Sequence, residues 1–137
     1  MRKLNNHILK KSESNIASAK ILSSNDKLDE SVALAYYSMY HFVTALFFKV
    51  GIKSENHTAS IILLRDIFEI DNQDIAYAKK ERLDKQYYVN FEITKEEVIE
   101  CIKKAEIFNN TMGDFISRLH NESIKVAREK FDILTKF

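Results

Sequence analysis

Proline is absent from this chain of 137 residues, and glycine occurs only twice. Both residues interrupt helices, so their scarcity leaves long segments without the usual breaks. Those segments are rich in helix-forming residues, which predicts an all-α protein. The length suffices for one domain with a hydrophobic core, and we take residues 1–137 as a single domain.

Cysteine occurs once, at Cys101, which excludes an internal disulfide framework and a cysteine-based metal site. Its place on the apolar stripe of a predicted helix indicates a buried structural thiol. An excess of charge of one sign is also lacking, because 21 basic and 20 acidic residues nearly cancel. Binding of nucleic acid would therefore require a local patch. No group of His, Asp and Glu has metal-ligand spacing and no glycine-rich phosphate loop occurs, so we expect neither metal nor cofactor.

What the sequence does contain is one long apolar run, the seventeen uncharged residues Val32–Phe48. A helix that is apolar on most of its circumference lies at the centre of a bundle or spans a membrane. We favour a bundle without a membrane, because a span needs about 20 predominantly apolar residues and His41 interrupts this run. Helical spacing of three and four residues connects Leu28, Val32, Ala35, Met39, Phe42, Leu46 and Val50.

The first residues, MRKLNNHILKK, lack the long apolar core of a secretory signal. We therefore expect a cytoplasmic protein.

Residues that typically begin or end helices predict five helical segments and a tail. Tyr87, Val89, Phe91 and Ile93 alternate with polar residues, which predicts an extended connection packed on the bundle. The tail could dock on the bundle or on another copy. The predicted segments are helix 1 over Leu4–Leu22, helix 2 ending at Gly51, helix 3 capped by Ser54 or Asn56, a fourth segment from Asp71 to about Lys85, helix 5 after a capping box at Thr94, and a further helix or kinked continuation beyond a phase break at His120–Ser123.

Three motifs occur in a characteristic order. Gly51–His57 is similar to a "G-x-x-P-K-T-H" turn, and Arg82–Tyr87 is similar to "R-x-x-A-D-Y" before a last helix. Together with the central run, these stretches resemble the HEPN family over about residues 5 to 117. Within Glu30–Leu46 the family segment "S-R-A-Y-Y-A-M-F-H-A-A-x-A-L" is matched by Tyr36, Tyr37, Met39, His41, Ala45 and Leu46.

The resemblance implies an up-and-down bundle of four to five helices. Residues 118–137, approximately, are predicted to form an extra C-terminal helical tail beyond it. Proteins of this family are often encoded beside a small nucleotidyltransferase. The first interpretation is therefore a homodimeric interaction module in a toxin–antitoxin-like or nucleotidyltransferase-associated system, with a nucleotidyltransferase as partner protein.

The second interpretation is a metal-independent ribonuclease with a rearranged active site. Ribonuclease members carry an arginine, four to six residues and a histidine near the start of the last helix, and no histidine follows Arg82 at that distance. Arg2–His7 has the spacing at the opposite end of the chain, which we attribute to chance. The candidate catalytic residues are His41 or His57 as proton carrier and Arg82 as stabiliser of phosphate charge.

The third interpretation is a nucleotide-binding module, in which the rings of Tyr36, Tyr37 or Tyr87 stack on a base. RNA or a nucleotide is thus a candidate ligand. Purely structural roles compete with both site hypotheses. Tyr36 and Tyr40 suit core positions with bonded hydroxyls, and a histidine on a buried helix is commonly a hydrogen-bonded core residue.

Overall fold

We describe the protein from a computed structural model that covers residues 2–54, 56–87 and 92–136, of which residues 2–5 and 83–87 are described by their backbone alone. The regular structure of these ranges is helical, which confirms an all-α bundle with an additional C-terminal helix. The helices in chain order are α1 (Arg2–Ser24), α2 (Leu28–Val50), α3 (His57–Phe68), α4 (Gln73–Tyr87), α5 (Lys95–Ser117) and α6 (Asn121–Leu134).

α2 is the central helix, and it packs along α1, α4 and α5. Val32, Met39 and Leu46 recur every seven residues, or about two turns, and all three are fully buried. A second buried row includes Tyr36 and Val43. Because neighbouring helices cover two rows, α2 must be apolar around most of its circumference. Each such side chain contributes roughly 1.5–3 kcal/mol when it leaves water.

The membrane alternative also concerns α2, which by length and composition could cross a bilayer. Most of its apolar stretch is buried inside the bundle instead, against α1, α4 and α5. A lipid-facing helix would leave that surface uncovered. The packing therefore supports the interpretation of α2 as a core helix.

Local sequence signals determine where the helices begin and end. Gly51 terminates α2 with φ of 82°, a left-handed conformation that glycine adopts without a steric penalty. Asn56 caps α3 by accepting a hydrogen bond from the Ala59 N–H at 3.0 Å. The predicted capping box of α5 is confirmed, since Thr94 Oγ1 accepts from the Glu97 N–H at 3.1 Å and a Glu97 carboxylate oxygen accepts from the Thr94 N–H at 3.3 Å.

A buried polar network joins α1, α2 and α5. Asn109 Nδ2 donates to Ser12 Oγ at 3.2 Å and to Ser38 Oγ at 3.1 Å. The two serine hydroxyls in turn donate to the carbonyls of Ser38 and Ala35. Within the ranges described here, the Asn109 Oδ1 atom is buried without a hydrogen-bond partner. The network gives hydrogen-bond partners to the Asn109 amide nitrogen and to both serine hydroxyls. Without partners, these buried groups would lower the stability of the fold.

The tail is a separate helix that docks on its own bundle. His120 lies at the N-cap of α6, so the predicted phase break is a true interruption between α5 and α6. α6 packs against α2 and α3, and Ala127 is its buried contact. Its remaining surface is largely exposed.

Cys101 is a buried thiol, as its position on the apolar stripe predicted. Burial, and secondarily the negative charge of Glu81, raise its pKa to about 12. The sulfur therefore stays a neutral thiol in the physiological pH range, which suits a structural residue.

The predicted extended connection falls mainly on residues 88–91, which lie outside the described residues. At its borders, Tyr87 is the last residue of α4 and is helical rather than extended. Residues 92–94 have no regular structure, and Ile93 is buried. α4 thus continues about two residues beyond the predicted end of the fourth segment, and the prediction that Tyr87 is extended is wrong.

We predict that Asn109→Ala destabilises the protein by about 1–3 kcal/mol relative to Asn110→Ala. Both substitutions change helix propensity equally, but only Asn109 is buried and hydrogen-bonded, whereas Asn110 is exposed. Urea denaturation of the two variants measures the difference. Equal midpoints would show that the buried network contributes nothing to stability.

Candidate tyrosine, histidine and arginine site

Four of the predicted site residues meet where α2, α3 and α4 adjoin. α2 supplies Tyr36 and Tyr37, α3 begins with His57, and α4 supplies Arg82. We call these four residues, together with Tyr40, the YHR cluster. The Asn56 cap fixes the first turn of α3, and it thereby places the His57 ring against α2.

The His57 ring is held by two tyrosines that lie one helical turn apart. Tyr36 Oη lies 2.8 Å from His57 Nδ1, and Tyr36 is fully buried. The Tyr40 ring stacks on the imidazole with centroids 3.8 Å apart and planes inclined by 17°. One tyrosine therefore fixes the rotation of the imidazole and the other fixes its plane.

The Tyr36 contact assigns the tautomer of His57. A buried phenol O–H needs an acceptor, and among the described residues His57 Nδ1 is the partner of Tyr36 Oη. We therefore assign Tyr36 as donor and Nδ1 as acceptor, which leaves the proton of neutral His57 on Nε2. In this state His57 offers an N–H to a ligand, and its lone pair is already engaged.

Arg82 lies over the tyrosine rings of α2. Its guanidinium carbon is 4.8 Å from the Tyr37 ring centroid and 5.6 Å from that of Tyr36. Both distances fall within the range of cation–π attraction. A guanidinium stacked in this way keeps N–H groups at its edge, where a phosphate or carboxylate can bind.

Two serine hydroxyl groups form a hydrogen-bonded chain with the Tyr40 hydroxyl. Tyr40 Oη donates to Ser60 Oγ at 3.2 Å, and Ser60 Oγ lies 2.8 Å from Ser54 Oγ. Ser60 is buried on α3, one turn after His57. These bonds hold Tyr40 in the orientation that stacks on the imidazole.

The electrostatics of the cluster keep His57 and Tyr36 neutral. Burial lowers the pKa of His57 below its ordinary value of 6.5, and the positive charges of Arg82 and Lys79 lower it further. Burial and neighbouring Tyr40 raise the pKa of Tyr36, although Arg82 opposes that change. At neutral pH the site therefore contains an uncharged imidazole and phenol beside two cations.

The structure separates His41 from these contacts. His41 is partly buried, and its pKa is lowered first by burial and then by Lys11 of α1. The charges that act on His57 belong instead to α4. The side chain of Tyr87 lies outside the described residues. Of the candidates, Tyr36, Tyr37, His57 and Arg82 thus come together, and His41 faces a different helix.

Sequence reasoning gave no ligand-site role to Tyr40, Ser60 or Lys79. Tyr40 had a usable signal, because it follows Tyr36 by four residues and therefore shares its face of the helix. Lys79 precedes Arg82 by three residues on α4, which also places them on one face. Ser60 carried no comparable signal, since its role depends on where α3 packs.

A model of the HEPN domain family matches residues 6–115. The chain belongs to the HEPN domain family. The matched region contains every residue of the YHR cluster, whereas α6 lies beyond it. The resemblance of the three sequence motifs to this family is therefore confirmed.

Similarity to a curated protein is more local. The chain is 40% identical over 53 residues to the UPF0332 protein PH1297 of Pyrococcus horikoshii. The aligned segment is 39% of this chain and 37% of the relative's own length. Because less than half of each protein is aligned, this likeness adds no statement about the activity of the whole chain.

We predict that His57 titrates below pH 6.5 and that Arg82→Gln raises its pKa, because the substitution removes a nearby positive charge. Lys80→Gln is the matched control, since Lys80 is exposed on the same helix. NMR titration of the imidazole carbon-bound protons measures both pKa values. An unchanged His57 pKa in Arg82→Gln would contradict the electrostatic account.

The same pKa shift determines how stability depends on pH. Between the lowered folded pKa and 6.5, the unfolded chain binds more protons at position 57 than the folded chain. The contribution of neutral His57 to stability is therefore complete above 6.5, and it declines as the pH falls toward the folded pKa.

Proposed function

We propose that this HEPN domain is a non-catalytic interaction module that binds a phosphate group of RNA or of a nucleotide at the YHR cluster. The observation that carries the proposal is the position of Arg82, stacked over Tyr37 and Tyr36 and close enough to His57 to lower its pKa. A cytoplasmic, homodimeric protein in a toxin–antitoxin-like or nucleotidyltransferase-associated system is the setting that we propose for it.

The ligand is an anion because Arg82 of the cluster and the neighbouring Lys79 of α4 are cationic hydrogen-bond donors. Arg82 and Lys79 are both partly exposed and positively charged. The assigned tautomer of His57 adds a neutral N–H. Phosphate oxygens accept bonds from all three kinds of donor, and a guanidinium suits them through paired N–H groups. Tyr36 is fully buried, so its role is to position His57 rather than to stack on a base.

Binding is favoured over cleavage by the protonation state of His57. Metal-free RNA cleavage needs a group that accepts the 2′-hydroxyl proton. In the assigned tautomer, His57 Nδ1 already accepts from Tyr36, and Nε2 carries a proton. The imidazole is therefore prepared to donate a hydrogen bond and not to act as a base.

A ribonuclease remains the second candidate, on the single observation that an imidazole and a guanidinium act on one another electrostatically in the same cluster. Exchange of the His57 tautomer on substrate binding would supply the missing base. This reaction would use His57 and Arg82, with His41 outside the cluster.

We predict that the wild-type protein binds short single-stranded RNA in EDTA without cutting it. Arg82→Gln should weaken binding by about tenfold, because a charge-assisted hydrogen bond is lost. Lys80→Gln is the control and should change affinity by less than about twofold. Fluorescence anisotropy measures binding, and gel electrophoresis of the recovered RNA reveals any cleavage.

The outcomes separate the candidates. If RNA is cut, and Arg82→Gln and His57→Gln abolish the cutting while both variants remain folded, the ribonuclease candidate replaces the binding module. If neither RNA nor a panel of mononucleotides binds, phosphate recognition at the cluster is wrong.

We predict further that the protein is a homodimer and that it co-purifies with a nucleotidyltransferase-like protein from its native cells. Support comes from the association of this family with small nucleotidyltransferases. Light scattering gives the mass, and mass spectrometry identifies co-purified proteins. A monomer recovered without such a partner would argue strongly against this setting.

A further inference from the structure

One side of α2 remains partly exposed between α1 and α4. Val32–Phe48 contains no charged residue, and Tyr37 and His41 lie one turn apart on this side, each partly exposed. Tyr37 belongs to the YHR cluster, and the guanidinium carbon of Arg82 lies 4.8 Å from its ring centroid. The edge of this side that meets α4 therefore carries a cation.

Two hydrogen bonds determine how α1 lies along α2. Ser12 Oγ donates to the Ser38 carbonyl at 3.2 Å, and Ser31 Oγ donates to the Ala19 carbonyl at 2.7 Å. The two helices are therefore antiparallel. The residues next to Ser12 lie level with the turn of α2 that contains Ser38, which is also the turn that borders the YHR cluster.

The direction of Lys11 follows from the two residues after it. Successive side chains of a helix are turned by about 100° around its axis. Ser12 points at α2, and Glu13 borders a cavity against α5. Lys11 is therefore turned the other way, away from α5 and toward the exposed side of α2. The electrostatics agree with this direction, since burial lowers the pKa of His41 and the positive charge of Lys11 lowers it further.

Cations thus lie on both edges of one uncharged surface. We call Lys11, Tyr37, His41 and Arg82 the α2 strip. The sequence of α1 contains one carboxylate, Glu13, and it faces α5. α1 and α4 both pack directly on α2, and packed helices lie 8–10 Å apart, so the two cations are separated by roughly 10–20 Å. A single phosphate group cannot reach both of them, whereas successive phosphates of one strand can.

We propose that the α2 strip binds single-stranded RNA through its backbone, with one phosphate at Arg82 and another phosphate of the same strand at Lys11. Between these two points the strand crosses α2 over Tyr37 and His41, where the uncharged run Val32–Phe48 offers no carboxylate to repel it. The contacts are to phosphates, so binding is independent of base sequence. This proposal rests on phosphate recognition at the YHR cluster, and it names a strand rather than a mononucleotide as the ligand.

The first test compares a strand with a mononucleotide on the full-length protein. The strand is a 2′-O-methyl oligouridylate of about ten nucleotides, which has no 2′-hydroxyl to attack the chain, and the mononucleotide is uridine 5′-monophosphate. Lys11→Gln should weaken binding of the strand by about threefold to tenfold and change affinity for the mononucleotide by less than about twofold, whereas Arg82→Gln should weaken both. Lys10→Gln is the matched control, because Lys10 is exposed on the same helix and is turned away from α2. Fluorescence anisotropy measures binding of the strand, and NMR titration measures binding of the mononucleotide.

The second test locates the strand and counts its phosphate contacts. Each neutralised phosphate of a single strand contributes about 0.7 to the slope of log affinity against log salt concentration, so Lys11→Gln should make that slope less steep by about 0.7. Lys10→Gln should leave the slope unchanged. The carbon-bound proton resonances of His41 should shift with the strand and not with uridine 5′-monophosphate. Those of His120, which lies at the N-cap of α6, should shift with neither ligand.

The outcomes distinguish the strip from the cluster. If Lys11→Gln binds the strand as Lys10→Gln does while Arg82→Gln binds it less tightly, the strip is wrong and phosphate recognition at the YHR cluster stands. A strand that shifts the resonances of His57 but not those of His41 leaves the cluster in another direction, which also overturns the strip. If Arg82→Gln has no effect, or if the wild-type protein binds neither ligand, both proposals are wrong.

Discussion

The burial of α2 is the constraint on which the rest of this structure depends. A helix that must hide most of its circumference requires neighbours on several sides, and α1, α4 and α5 provide them. Its few polar side chains must then find partners on those neighbours. Tyr36 does so with His57, and Ser38 does so with Asn109. Both polar centres of the molecule are therefore consequences of one central helix that is not purely hydrophobic.

Because Tyr36 is buried, the candidate site is part of the core as much as of the surface. The phenol that holds His57 has no exposed area, and the guanidinium that borders the site rests on the same rings. Such a site is rigid before a ligand arrives, which reduces the entropy lost on binding. The same burial keeps His57 neutral. Loss of solvent and the nearby charges of Arg82 and Lys79 all disfavour the imidazolium and lower the pKa of His57.

The sequence was sufficient for the order of the helices, the stop at Gly51, the capping box at Thr94 and four members of the cluster, because those features depend on spacing and on short-range chemistry. Gly51 and Thr94 act within one turn of their own position. The location of His41 could not be obtained in this way. Spacing places it on the face of Tyr37, but which neighbouring helix that face meets depends on long-range packing, and the charge that acts on His41 belongs to α1. The stacking of Tyr40 on His57 could not be predicted either, because it depends on how α3 packs against α2.

The Asn109 network has a consequence for the uniqueness of the packing. Hydrophobic helices can slide or rotate against one another with modest loss, because one aliphatic contact resembles the next. Asn109 meets one serine on α1 and one on α2, so a shift of α5 by a single turn would strand three polar side chains in an apolar interior. The three helices therefore have one favourable alignment, and competing arrangements of the same sequence are disfavoured.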